Sequence, residues 1–151
     1  VTKLEFFVPG KPQSQGSKTW MPNGFMREAD AGLKPWRAAV ISYAVTTMRT
    51  IGWDKQFGPV ALSVTFFYAR PKSHYGTGKN LGVLKPTAPA FNVGPYDLDK
   101  SVRGVGDALE QSGAIRNDSQ IVKINAEKLY AHQPGTLVCL RPIGPEEALP
   151  L

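Results

Sequence analysis

Hydrophobic and polar positions alternate over Lys3–Val8, with Leu4, Phe6 and Val8 on one face, which predicts a first strand stopped by Pro9-Gly10-Lys11-Pro12. Gln13–Lys18 is polar and reads as a surface loop. Trp20-Met21 and Phe25-Met26 flank Pro22-Asn23-Gly24, which reads as a short hairpin or a turn in a mobile arm. Pro35 suits the first turn of a helix. From Trp36, the residues Val40, Tyr43 and Thr47 recur at helical spacing beside Ala39 and Ile51, so one amphipathic helix runs to Gly52 with Trp36 and Tyr43 in the core. Val60–Tyr68 is the strongest strand, apolar on both faces and therefore expected inside a sheet. Residues 69–96 have no periodic pattern and are punctuated by proline and glycine, a length at which a loop is functional or disordered. A second helix is predicted over Asp99–Gln111, with Leu98, Val102, Val105 and Leu109 on one face and Gly113 as its stop. Asp99, Arg103 and Asp107 form a charged stripe on another face, expected to look into a cleft. Gly104 and Gly106 each cost this helix about 1 kcal/mol, which suggests that something, such as a partner subunit, comes close. Ile121–Tyr130 and Thr136–Arg141 complete the strands.

The length of 151 residues fits one domain over 1–142, with 143–151 expected to lack structure. No apolar run approaches the roughly 18 residues of a spanning helix, and no signal-peptide pattern opens the chain, so a cytoplasmic protein is expected. The lone Cys139 lies in an alternating strand and reads as a small buried hydrophobe. One cysteine with the distant His74 and His132 makes neither a zinc pattern nor a thiol–imidazole pair.

The net charge of +6 is unevenly distributed. Between Lys55 and Tyr96 there are five basic residues and no acid, and Lys11, Lys18 and Arg27 are unopposed within 6–27. Such stretches attract a phosphate backbone, or simply solubilise the chain. Gly76-Thr77-Gly78-Lys79 is not a phosphate-binding loop, because Ser73 and Asn80 occupy the deciding positions.

Against this basic background, Asp97-Leu98-Asp99 stands at the mouth of the second helix, and Asp118 follows in an Asn-Asp-Ser-Gln turn. Two or three carboxylates suit magnesium, a hard ion that keeps waters and accepts substrate phosphate oxygens. Arg103, one turn into the helix, is suited to steadying charge on phosphorus. The plainer alternatives are a helix N-cap, a surface Asp99–Arg103 pair worth about 0.3–0.5 kcal/mol, and a turn-forming Asp118.

The run Asp97-Leu98-Asp99-Lys100-Ser101-Val102-Arg103, then Asp107-Ala108-Leu109, Gly113 and Asn117-Asp118-Ser119-Gln120-Ile121-Val122, resembles the signature of RusA-type Holliday junction resolvases. That family's pattern reads D-[LI]-D-N-L-x-K, D-x-L, [ND]-D-x-Q-[VI]-V. The resemblance implies a small α+β protein, a mixed sheet of about four or five strands packed with two main helices. It also implies a homodimer that cuts four-way DNA junctions with Mg²⁺, for which Mn²⁺ can substitute, in a bacterial or phage-infected cell. By position, Asp97, Asp99 and Asp118 match the metal-binding aspartates, and Arg103 matches a functional lysine. Lys100 stands where the family has Asn. An arginine keeps the cation but cannot give up a proton, so Lys100 would have to take over any proton transfer.

The leading expectation is therefore a junction-resolving endonuclease with Lys11, Lys18, Arg27, Lys72, Lys79, Lys85 and Lys100 as DNA contacts. Phe91 and Tyr96 are available to stack on an unpaired base or to pack. The alternatives are a catalytically silent binder of branched DNA, and a metal nuclease acting on forks or flaps.

Overall fold

Alternation of side chains along four segments builds one mixed sheet. The computed structural model describes residues 2–15, 18–20, 22–24, 26–28 and 31–150, with nothing given for the side chains of 18–20 and 26–28. Strands β1 (Leu4–Pro9), β4 (Val60–Tyr68), β5 (Ile121–Tyr130) and β6 (Gly135–Pro142) lie in the order β1-β6-β4-β5. β6 runs antiparallel to both β1 and β4, whereas β5 lies parallel to β4 at the edge. β2 (Lys18–Trp20) and β3 (Met26–Glu28) pair as the expected hairpin. The helices are α1 (Leu33–Ile51) and α2 (Leu98–Ser112), each stopped by a left-handed glycine, Gly52 and Gly113. The fold is α+β, a single domain, as expected.

Both helices cover the same sheet face. Leu4, Phe6 and Val8 of β1, Leu62, Val64 and Phe66 of β4, and Val138 and Leu140 of β6 meet Leu33, Trp36, Val40 and Ala44 of α1 and Val105, Ala108 and Leu109 of α2. The register sets Ile124, Ala126, Lys128 and Tyr130 of β5 opposite Leu62, Val64, Phe66 and Tyr68, so these four look toward the helix side too. The other face carries Phe7 and Phe67 in ring contact at 6.4 Å and the half-buried Cys139, whose thiol burial pushes up in pKa, as befits an inert side chain.

Three expectations change. The buried stripe of α1 keeps Trp36 and Val40 as expected but continues from Leu33 and through Ala44, so that Tyr43, at the margin of the stripe, is exposed. The approach at Gly104 comes from within the chain: a Cβ there would lie 2.8 Å from the Trp36 ring, and one at Gly106 would touch Ile121. The segment after Pro142 also folds back, with Pro145–Glu147 forming a 3-10 turn. The Arg141 guanidinium donates to both Glu147 oxygens at 3.0 and 2.9 Å, and that hydrogen bonding lowers the carboxyl pKa.

Gly104→Ala is a direct test of the interhelical contact. Alanine gains about 1 kcal/mol of helix propensity, but overpacking against a buried ring costs roughly 1–3 kcal/mol. The expected net result is a loss of stability in urea unfolding. A stabilised variant would mean that Trp36 moves freely.

Candidate active site

The segment entering α2 is built to leave its acids unspent. Asp97 occupies the N-cap position, yet among the described residues its carboxylate makes no capping hydrogen bond. Its backbone carbonyl instead accepts from the Ser101 N–H and hydroxyl, both at 3.1 Å. The carboxylate pairs with Lys100 Nζ at 3.3 Å. Asp99 follows in the first helical turn, exposed, where a negative charge interacts favourably with the helix dipole.

Asp97 and Asp99 line one cavity of about 690 Å³. Its floor is the helix-side face of β5, through Ile124, Ala126 and Lys128, and Leu98 and Val102 close one wall. Apolar walls around two exposed carboxylates lower the local dielectric and strengthen any interaction with a cation or phosphate.

Lys128 was not singled out from the sequence. Its ammonium donates to the carbonyls of Gly94 at 3.2 Å and Tyr96 at 2.7 Å, which tethers the segment before Asp97 to β5. The only signal in the sequence was its place among Ile124, Ala126 and Tyr130 on one side of the strand, a polar residue in an apolar alternation. Charged hydrogen bonds of this kind contribute about 1.5–3 kcal/mol. Lys128→Met is therefore expected to lower stability by about 1–3 kcal/mol and to speed amide exchange at residues 94–97. Unchanged exchange there would remove the tether.

Asp118 belongs to a turn with its own fasteners. Asn117 Oδ1 accepts from the Ser119 N–H and Gln120 Oε1 from the Asn117 N–H, both at 2.8 Å. Gln120 Nε2 donates to the carbonyls of Gln56 and Gly58. This turn holds Asp118 against α2, its Cβ 4.0 Å from where a side chain at Gly106 would begin. Gly106 lies seven residues after Asp99, about 10 Å along a helix axis at 1.5 Å per residue. The fold thus brings Asp97 and Asp99 together and leaves Asp118 further along the helix. Among the described residues no three His, Cys, Asp or Glu side chains lie close enough to share a metal ion. The Asp97–Asp99 pair suits magnesium bound through one or two carboxylates, its remaining positions left to water and phosphate.

The predicted charged stripe of α2 divides. Arg103 is exposed on the turn after Asp99 but does not line the cavity. Asp107 turns toward the other helix and accepts from Gln15 Nε2, whose amide oxygen in turn accepts from Arg37. It braces the 11–15 segment and α1 against α2, and the expectation that it faces the cleft is corrected.

Lys11 lies over the Tyr96 ring at 4.6 Å, and Tyr96 stacks on Tyr68 at 5.4 Å, so this ring is packed. Burial pushes the Tyr68 hydroxyl up to about 12, which keeps it protonated throughout the working range. Phe91 is 75% exposed. Lys72, Lys79 and Lys85 are exposed on the 69–96 loop, which is ordered by short 3-10 turns and by bridges joining Tyr75 to Leu84 and Gly76 to Leu81. The side chains of Lys18 and Arg27 lie outside the described residues. Among the described residues no helix is long and apolar enough to cross a membrane.

Residues 9–141 match the model of the family described as Endodeoxyribonuclease RusA. A relative in Bacillus subtilis (strain 168), the uncharacterized protein YqaN, is 27% identical over 149 residues, covering 93% of this chain and 97% of the relative.

Proposed function

The chain belongs to the RusA endodeoxyribonuclease family, nucleases that act on branched DNA, and we propose that it resolves four-way (Holliday) junctions by paired, magnesium-dependent nicks. The observation that carries this reading is the pair of exposed carboxylates, Asp97 and Asp99, side by side in an apolar-walled cavity of a basic protein. In a chain of net charge +6 that meets phosphates, acids in such a place are unfavourable without a cation between them and the substrate.

Asp97 and Asp99 are the residues that would hold Mg²⁺, or Mn²⁺ in its stead, with Asp118 as the third acid of the centre. The ion supplies Lewis acidity toward the phosphodiester and eases deprotonation of a water. Lys100 pairs with Asp97, and that lysine would have to give way for the carboxylate to hold an ion. Arg103, exposed on the next turn of α2 but outside the cavity lining, would have to extend to the phosphate being cut to lend it a permanent positive charge. Leu98, Val102 and Ile124 would give the reacting phosphate an apolar flank beside the two carboxylates.

A four-way junction has two equivalent strands to cut, which a twofold-symmetric dimer matches with two equivalent sites. Val122, more than half exposed on the edge strand β5 and outside the carboxylate cavity, supports a protein neighbour along that edge.

The test is incubation of labelled four-way junction and matched linear duplex with the full chain, with and without Mg²⁺. Paired symmetric nicks on the junction alone, dependent on the metal, are expected. Binding without cutting would favour a silent junction-binding protein, a reading that the Asp97–Lys100 pair and the distant Asp118 support. Equal cutting of forks and flaps would widen the substrate class.

A further inference from the structure

The helix-side face of β5 does not end at the carboxylate cavity. Ile124, Ala126 and Lys128 belong to that cavity, and the next residue on the same face, Tyr130, belongs to another. Beyond it are two adjoining hollows of about 350 and 570 Å³. Both are lined by Tyr75, Gly82 and His132. Arg70 joins them in the first, Lys72 in the second. Neither lining contains an acid.

The cationic side of this region is fixed in position. The Arg70 guanidinium sits 4.4 Å above the Tyr130 ring, donates to the Pro89 carbonyl at 2.7 Å and meets His74 Nδ1 at 3.3 Å. A guanidinium set by stacking and hydrogen bonds loses little side-chain freedom when an anion arrives. Lys72 and His132 are exposed and free to reach a ligand, and Tyr75 offers a half-buried ring. Leu81 and Leu84 also line the hollows, but Arg70 and Lys72 around an aromatic ring, with no acid, suit a sugar-phosphate backbone better than an apolar peptide.

We propose that Arg70, Lys72, Tyr75 and His132 form a second DNA-contact subsite, which grips the backbone of the strand being cut a few nucleotides from the cut phosphate. The inference rests on the reading of Asp97 and Asp99 as the cutting centre. From Ala126 to Tyr130 the strand advances about 13 Å at roughly 3.3 Å per residue. A DNA strand winds around its axis, so it covers such a separation within a few nucleotides. The subsite would fix which phosphate enters the carboxylate cavity.

The decisive experiment compares the wild type with Lys72→Ala/His132→Ala and with Lys34→Ala. Lys34 is an exposed lysine on α1 that lines neither hollow and is not among the expected DNA contacts. Binding to four-way junction and to linear duplex is measured without divalent metal from about 50 to 200 mM salt, and phosphate-ethylation interference is mapped on the junction. All the substituted side chains are exposed, so the fold is expected to survive, which circular dichroism checks. The double variant should bind about 10-fold more weakly, with a log–log salt slope smaller by about one. It should also lose interference at a phosphate a few nucleotides from the cut. Wild-type affinity, or an interference map identical to that of the wild type, would overturn the subsite, as would an equal effect from Lys34→Ala. Affinity and slope are read on linear duplex as well. A wild-type protein that does not prefer junctions would therefore remove the four-way reading without touching this one.

Discussion

Asp99→Asn is expected to reduce metal-dependent junction cleavage by about 10²–10³-fold while leaving junction affinity within about threefold. The isosteric amide keeps the shape of the first turn of α2 but loses the charge that a hard cation requires. Asp99 is exposed, so the fold has little to lose beyond a favourable helix-dipole interaction of about 0.3–1 kcal/mol. Removing a negative charge from a phosphate-facing surface does not weaken DNA binding, and at low salt it strengthens it slightly. Cleavage rates and gel-shift affinities on one labelled junction separate the two quantities. Cutting at the wild-type rate would remove Asp99 from the centre. A parallel loss of affinity would instead mean that the side chain shapes the DNA surface.

The order of elements was legible because each long periodic segment agrees with its surroundings. Val60–Tyr68 could be read as an interior strand since both its faces are apolar, and it does lie between β6 and β5. The start of α2 was legible from Asp97-Leu98-Asp99 followed by a helical apolar stripe, and its end from Gly113. Phase was less accessible. A shift of one residue turns a side chain by about 100°, so the packing of α1 on the sheet, absent from local sequence, decided that Ala44 is buried and Tyr43 exposed. Gly104 announced a close neighbour, but its identity as Trp36 required the two helices to be seen together.

The site was legible in part for the same reason. Asp97 and Asp99 are two residues apart, so their meeting in one cavity is a local event. Lys128 reaches the carbonyls of Gly94 and Tyr96 only because β5 pairs with β4 beneath the 69–96 loop, a contact across more than thirty residues. Asp107 shares a helical stripe with Asp99 and Arg103, yet the arrival of Gln15 and Arg37 on its side of α2 gives it a bracing role. Residues matched through a family pattern carry no information about which neighbour claims each one.

Asp118 is where that distinction has the largest consequence. Asp118→Asn should lower cleavage by about 10²-fold but weaken Mn²⁺ binding, measured by calorimetry, less than Asp97→Asn does. The reasoning is geometric. Asp97 and Asp99 already share a cavity, whereas Asp118 is held beside Gly106 by the Asn117–Gln120 turn and by Gln120 bonds to Gln56 and Gly58. Moving its carboxylate toward the pair means loosening a turn fastened by several hydrogen bonds, each contributing about 0.5–1.5 kcal/mol. Such a cost subtracts from whatever affinity the third acid adds, so Asp118 is expected to contribute more to reactivity than to retention of the ion. Equal loss of Mn²⁺ affinity in both variants would mean that the three carboxylates close on one ion in solution and that the turn yields readily. Full cleavage by Asp118→Asn would confine the centre to Asp97 and Asp99 and make Asp118 a turn former, the role that its sequence context alone allows.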